Sequence, residues 1–123
     1  MAKLQGMISF VRIYSDDNGD SRFEDVTIQL KDAGPIGFLS ETIPANGIIF
    51  REVAASYDYD FHTAPQRQYL VLLDGEIEIE TSLGEKRKFI GGDMLLLEDT
   101  TGKGHRTKNL LPIKRKSIFI TIP

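Results

Sequence analysis

Histidine is the residue type in this chain that is best suited to chemistry near neutral pH, and the sequence contains two. His62 lies in the segment FHTAPQRQ (residues 61–68), and His105 lies in GKGHRTKN (residues 102–109). Imidazole is the commonest metal ligand in proteins and titrates close to neutrality, so it serves metal binding and proton transfer alike. The first question the sequence raises is whether the two imidazoles meet across a pocket.

The composition indicates one ordinary globular domain, which we assign to residues 1–123. Hydrophobic residues make up 41% and charged residues 27%, and the chain contains no cysteine. Disulfides, thiolate metal sites and cysteine nucleophiles are therefore excluded. No apolar run has the length of a signal peptide core or a membrane span, so we expect a cytoplasmic protein with no membrane partner.

The formal net charge of −3 conceals an uneven distribution of charge along the chain. Residues 1–99 contain eighteen acidic and nine basic residues, whereas residues 100–123 contain six basic residues and no acid. A basic segment can indicate nucleic acid binding. Residues 117–122 alternate like a strand, however, and no stripe of basic and aromatic residues accompanies the charge. We therefore expect no nucleic acid partner.

Short β-prone segments separated by turn residues run along most of the sequence. Residues 76–81 alternate between glutamate and isoleucine, which predicts a strand with one buried and one solvated face. The Asp74-Gly75 dipeptide before this strand is a tight-turn signal. Gly91-Gly92-Asp93 marks another turn later in the chain. Strands at this regular close spacing predict an all-β sandwich or barrel.

Both histidine segments fit a pattern that resembles the cupin superfamily, whose members are small antiparallel β-barrels of jelly-roll topology (a double-stranded β-helix). The first cupin motif has Gly, His-x-His, Glu and Gly in order, and the second has Gly, Pro-x-Gly, His and Asn. The first is matched here by His62 and Gly75, and the second by Gly92, Gly102, His105 and Asn109. The resemblance covers about residues 46–122 and looks like the compact bacterial form of the domain.

The chain departs from the motifs at positions that matter for chemistry. Ala64 stands at the second histidine position, Gln68 at the glutamate position, Ser56 at the leading glycine and Glu98 at the proline. In metal-binding cupins the motif histidines and glutamate coordinate a divalent ion inside the barrel. The resemblance therefore implies a site made of His62, Gln68 and His105, which could hold Zn, Ni, Fe or Mn. The alternative is that the histidines only form hydrogen bonds in a polar cavity.

Other residues are weaker candidates for contact with a ligand. Lys103 shares strand parity with His105 and could project inward towards an anionic group, although a lysine between two glycines is usually solvated. Arg67 could contact a ligand or lie at a strand edge. Tyr57 and Tyr59 alternate with aspartates, and this alternation favours a packed face over an aromatic binding box.

The resemblance implies a small-molecule-binding protein, with three functions left open. The first is a metal-dependent enzyme, similar to dioxygenases or isomerases, that acts on a small polar or acidic metabolite. The second is a metal-free enzyme similar to nucleotide-sugar isomerases or epimerases, in which His62 or His105 transfers a proton. The third is a non-catalytic ligand-binding or sensing protein. We also expect a homodimer, because the apolar segment from Ile118 to Ile122 looks like an edge strand that needs cover.

Overall fold

The computed structural model describes residues 6–123, and strands account for nearly all of the regular structure in that range. The only helix there is a single 3₁₀ turn, Gly34–Ile36, so no helix in this range is long enough to cross a membrane. The strands are β1 Met7–Ser15, β2 Ser21–Gln29, β3 Lys31–Asp32, β4 Phe38–Leu39, β5 Gly47–Val53, β6 Asp58–His62, β7 Gln68–Leu72, β8 Glu76–Thr81, β9 Lys86–Ile90, β10 Met94–Glu98, β11 His105–Asn109 and β12 Arg115–Thr121.

Two facing sheets contain all but one short pair of these strands. One sheet has the order β2-β1-β10-β7-β12-β5, and the other has the order β6-β11-β8-β9. From β5 onward the chain passes from one sheet to the other at each connection except the β8–β9 hairpin. The resulting eight-stranded arrangement, β5-β12-β7-β10 facing β6-β11-β8-β9, is the strand order of a jelly roll. The predicted fold class is therefore confirmed.

The core lies between the two sheets and follows from strict alternation along the strands. In β7 and β8 every second residue is buried, including Leu70, Leu72, Ile77 and Ile79, each at most 4% exposed. Since successive side chains point to opposite faces of a strand, these residues form continuous inward rows. Towards one end of β7 the inward position is taken by Gln68 instead of an aliphatic residue, and the interior there becomes polar.

A β-bulge in the pairing of β6 with β11 determines which side chains of β6 face the interior. His105 is paired with His62 and Thr107 with Tyr59, so two steps along β11 correspond to three along β6. A bulge of this kind inserts one extra residue and shifts the alternation of the strand beyond it. As a result, His62 and Tyr59 face the same interior space although they are three positions apart, a spacing that puts two side chains on opposite faces of a regular strand.

The prediction that the segment from Ile118 to Ile122 forms an exposed edge is wrong. This segment belongs mostly to β12, which pairs with β7 on one side and with β5 on the other. The prediction failed because Ile118 and Ile120 alternate as they would on any strand. Alternation does not distinguish an edge strand from a central strand. The outermost strand at that end of the sheet is β5, where Ile48 and Phe50 are 55% and 74% exposed.

Gly104 makes the closest backbone contact in the histidine region. Its φ is +76°, and a Cβ placed on it would lie 2.1 Å from the carbonyl oxygen of His62. The Gly104 carbonyl also accepts a hydrogen bond from the hydroxyl of buried Ser21. Gly104 therefore sets how closely the start of β11 approaches the end of β6.

We expect Gly104→Ala to lower the free energy of unfolding by about 3 kcal/mol or more, because the positive φ is strained for alanine and the Cβ displaces the His62 peptide. Gly84→Ala is the matched control: Gly84 has φ +87° with nothing within 4 Å of a placed Cβ. It should cost only about 1–2 kcal/mol, the cost of the backbone conformation. Urea unfolding of both variants measures the difference, and equal losses would contradict the close-approach explanation.

Candidate functional site

A cavity of about 370 Å³ opens between the two sheets at the polar end of the core. It is lined by strands β5, β6, β7, β10, β11 and β12, by Tyr57 before β6 and by residues 63–66 after β6. The ring centroids of His62 and His105 lie 4.7 Å apart on one wall. The two imidazoles thus converge in the interior, as the sequence predicts. The polar and aromatic lining includes Arg51, Tyr57, Tyr59, His62, Gln68 and His105.

His105 is held by a buried carboxylate. Its Nδ1 lies 2.6 Å from Oδ2 of Asp99, and the two residues are 3% and 0% exposed. The Asp99 backbone carbonyl accepts a hydrogen bond from the Ala64 amide, which ties the end of β10 to the segment after His62. Because a carboxylate accepts, Nδ1 of His105 carries the proton in this bond. In the neutral ring, Nε2 is then left with its lone pair at the cavity.

His62 is oriented in the same way by a different group. Its Nδ1 lies 2.8 Å from the backbone carbonyl oxygen of Asp60, and a carbonyl can only accept. Its ring stacks at 3.8 Å on Tyr59. Burial lowers the pKa of His62, and the nearby His105 and Arg51 lower it further. The neutral ring therefore presents Nε2 as an acceptor.

Gln68 supplies a polar side chain that has no partner in the protein. It is the first residue of β7, is 4% exposed and lines the cavity. Its amide makes no hydrogen bond to any other residue between 6 and 123. Since buried polar groups are nearly always hydrogen-bonded, the amide is available to a ligand or to water.

The structure places Lys103 and Arg67 outside the cavity, so the prediction that they contact a ligand there is corrected. Lys103 is 65% exposed at its side chain, and its Nζ lies 3.0 Å from Oδ1 of Asp20. Strand parity does not extend to it, because Gly102 and Gly104 both have positive φ and turn the chain before β11 begins. Arg67 immediately precedes Gln68 and points the other way, where it pairs with Glu98 at 2.7 Å.

Several cavity residues were not identified as site residues from the sequence. Tyr57 and Tyr59 line the cavity, whereas their alternation favoured a packed face. The bulge in β6 brings them onto the wall of His62, and no sequence signal marks that bulge. Asp99 could have been noticed as an acid directly after the apolar strand β10. Arg51, on β5, lies before the motif segments and carried no signal.

The donor atoms on the cavity wall are of types that bind divalent transition metals, but the set is small. No cluster of three or more His, Cys, Asp or Glu side chains suited to a metal exists in the described part of the chain. The candidate donors are Nε2 of His62, Nε2 of His105 and the amide oxygen of Gln68, while Ala64 contributes nothing. Each Nδ1 donates to a carbonyl or a carboxylate, as in metal-ligating histidines generally. The donors present therefore fit a metal, without a carboxylate to balance its charge.

Comparison with solved structures finds similar folds at low sequence identity. The Schizosaccharomyces pombe Cnp3 cupin domain aligns with a TM-score of 0.48 and 10% identity, over 98% of this chain and 86% of that one. Protein NMB1881 from Neisseria meningitidis aligns with a TM-score of 0.47 and 20% identity, over 66% and 79%. Drosophila melanogaster CENP-C, solved bound to CAL1, aligns with a TM-score of 0.46 and 15% identity, over 89% and 75%.

No protein-family model matches the chain. No curated protein matches it either. The assignment of a jelly roll rests on the strand order described above.

The lowered pKa of His62 predicts a pH dependence of stability. The unfolded chain takes up a proton at His62 near pH 6.5, whereas the folded protein does so only at lower pH. Between these two pKa values the unfolded state binds more protons, so the free energy of unfolding falls as pH falls below about 6.5. His62→Gln should show a shallower fall over that window. NMR titration of the His62 ring in the folded protein checks the pKa directly, and a value at or above 6.5 would contradict the prediction.

Proposed function

We propose that this protein binds a small polar or acidic metabolite in the cavity and that His62, Gln68 and His105 hold a divalent metal ion beside it. The observation that carries the proposal is the arrangement of the two imidazoles. Their rings lie 4.7 Å apart, and each has Nδ1 engaged by a fixed acceptor. This arrangement leaves both Nε2 atoms available on one wall of one cavity.

The residues around the histidines support the same proposal. Asp99 fixes the ring of His105, and the Asp60 carbonyl fixes the ring of His62, so neither imidazole has to reorganise when a ligand arrives. Gln68 offers an amide that can accept from or donate to a substrate. A divalent ion, when bound, supplies a Lewis acid that polarises a carbonyl or holds substrate and O₂. Dioxygenation or isomerisation of the metabolite are the reactions that the cupin resemblance implies.

Metal binding is tested by titrating chelator-treated, tag-free protein with Zn²⁺, Ni²⁺, Mn²⁺ and anaerobic Fe²⁺. We expect one ion per chain in wild type, with an affinity at least tenfold weaker in His62→Ala and in His105→Ala, because each removes one of two imidazole ligands. Thr107→Val, which alters the cavity wall beside His105 but removes no proposed ligand, should bind as wild type does. Elemental analysis that finds no uptake of any of the four ions would overturn the metal proposal.

A second candidate function is metal-free proton transfer on the same metabolite class. Two observations favour it: among residues 6–123 no carboxylate lines the cavity as a direct ligand, and Arg51 adds positive charge near the histidines. The buried Asp99–His105 pair would orient His105 as a general base and stabilise its protonated form. Nucleotide-sugar isomerases and epimerases are the metal-free cupins that the sequence suggested, and a non-catalytic ligand-binding role is the third alternative.

These alternatives are separated by screening metabolites with chelator-treated protein. A metal-free enzyme should convert a bound metabolite in the presence of EDTA, and Asp99→Asn should slow conversion by about 10²-fold or more while binding persists. Binding without conversion, with and without added metal, would leave only the non-catalytic role. Asp93→Asn is the control, because Asp93 lies in a turn away from the cavity.

We also propose that the protein forms a homodimer, with β5 at the interface in place of the segment originally predicted. The outer edge of β5 has no strand partner within residues 6–123, and Ile48 and Phe50 beside it are exposed. Light scattering after gel filtration should give twice the chain mass for wild type and the chain mass for Phe50→Asp. Ile90→Asp, at a comparably exposed isoleucine on β9, should remain dimeric. A monomeric wild type at micromolar concentration would refute the dimer.

A further inference from the structure

Two arginines lie together beside Tyr57, and one of them, Arg51, lines the cavity on the β5 side. Arg51 lines the cavity, donates from Nε to the hydroxyl of Ser117 at 3.0 Å and lies 4.4 Å over the ring of Phe119. Arg115 is 1% exposed and donates from Nε to Oδ1 of Asn109 at 2.9 Å. Within residues 6–123, neither guanidinium forms an ion pair with a carboxylate.

Arg115 has unsatisfied hydrogen-bonding groups. Its two terminal nitrogens are buried and have no hydrogen-bond partner in the described structure. A buried charged group with unpaired donors destabilises the fold, so natural proteins rarely keep one without a reason. Arg115 could have been replaced by an aliphatic residue if packing were its only role.

The two charges are close enough to act on the same space. Their guanidinium carbons lie 5.6 Å and 5.4 Å from the ring centroid of Tyr57, which also lines the cavity. Burial lowers the pKa of both groups, and the charge of Arg51 lowers the pKa of Arg115 further. Both still remain protonated at neutral pH, since arginine does not lose its proton in proteins. Asp74 offsets part of the charge of Arg115 at longer range. Among residues 6–123, however, no carboxylate lies within ion-pairing distance of either guanidinium, so this side of the cavity carries excess positive charge.

We infer that Arg51 and Tyr57, backed by Arg115, form a subsite for an anionic group of the ligand, either a carboxylate or a phosphate. Arg51 offers a planar fork of donors that matches either group, and the charge of Arg115 behind it adds to the attraction. The inference deepens the proposed function, because it takes from it only that the cavity binds a small molecule. It moves the predicted anion contact from Lys103 and Arg67 to residues inside the cavity.

The rows of inward side chains indicate the size of the ligand. The backbone of Arg51 on β5 lies level with Leu72 on β7, because both residues pair with Ser117 on β12 between them. Gln68 lies four residues before Leu72 on β7. Four residues of strand span about 13 Å, and the side chains at both ends shorten the gap between them. Between the two ends, the wall is apolar and aromatic, formed by Tyr59, Leu70 and Phe119. The fitting ligand class is a small organic acid or phosphate ester with an apolar or planar middle and a polar far end.

The test uses the whole chain, treated with chelator, and measures anion binding by thermal shift and calorimetry at constant ionic strength against NaCl. The probes are inorganic phosphate, formate and benzoate, with formamide and benzamide as neutral analogues of the two carboxylates. We expect at least one anion to raise Tm saturably and its neutral analogue not to do so. Comparing the affinity for phosphate with the affinities for formate and benzoate shows which of the two anionic groups the subsite prefers.

Arg51→Gln should weaken binding of that anion at least tenfold, and Arg51→Lys should weaken it less, because lysine keeps the charge but loses the fork. Arg115→Met should weaken binding while leaving the unliganded protein at least as stable, since it removes an unpaired buried charge. Arg67→Gln and Lys103→Gln remove exposed positive charges and should change nothing. The inference is overturned if no anion binds, if the neutral amides bind equally well, or if Arg51→Gln binds as wild type does.

The result is independent of the metal proposal. His62→Ala and His105→Ala alter the wall formed by β6 and β11, remove no donor of the proposed subsite and should keep phosphate or carboxylate binding within about threefold of wild type. Failure of metal uptake with intact anion binding would remove the metal and keep the subsite. Metal uptake without anion binding would keep the metal proposal and remove the subsite.

Discussion

The pairing of β6 with β11 is the constraint on which the rest of the site depends. It joins His62 to His105 in direct register, and its bulge turns Tyr59 towards the same interior. Gly104 makes this pairing possible, because any side chain there would collide with the His62 carbonyl. The Asp99 backbone then ties the following segment through Ala64, so a single local arrangement fixes both imidazoles and the carboxylate behind one of them.

Much of the fold could be predicted because alternation and turn chemistry are local properties. Glu76 to Thr81 shows its buried face directly in the order of its residues, and Gly75 adopts the positive φ that its turn requires. The convergence of His62 with His105 was predictable only through the motif resemblance. The position of β12 within its sheet was not, because strand order depends on contacts between segments distant in sequence.

Site residues were predicted correctly when their orientation follows from the alternation of their own strand. They were missed when their orientation depends on a neighbouring strand. Gln68 faces inward by simple parity with Leu70 and Leu72. Tyr59 does not follow parity with His62, because the bulge intervenes. The prediction that Lys103 points inward was wrong for a related reason, because it applied strand alternation to a glycine turn that is not part of β11. The sequence marks Arg115 only as one of the six basic residues between 100 and 123, although it is among the most buried large side chains of the fold.

The polar groups without partners are concentrated around the cavity, and this distribution connects stability with function. Oδ1 of Asp99 and the terminal nitrogens of Arg115 are buried behind the cavity wall without a hydrogen-bond partner among residues 6–123. The Gln68 amide lines the cavity itself and makes no hydrogen bond within the same range. Leaving such groups unpaired costs folding free energy, while the aliphatic core formed by Leu72, Ile77 and Ile79 bears no comparable cost. A ligand that pairs with the Gln68 amide, or whose negative charge offsets the charge of Arg115, recovers part of that free energy, so binding and stability are linked. The electrostatics give the ligand a direction, because positive charge accumulates at Arg51, whereas the Gln68 amide and the His62 ring, whose pKa is lowered by burial, face the cavity near His105. An organic anion is therefore expected to bind with its charged group towards β5 and the part that reacts towards His62 and His105.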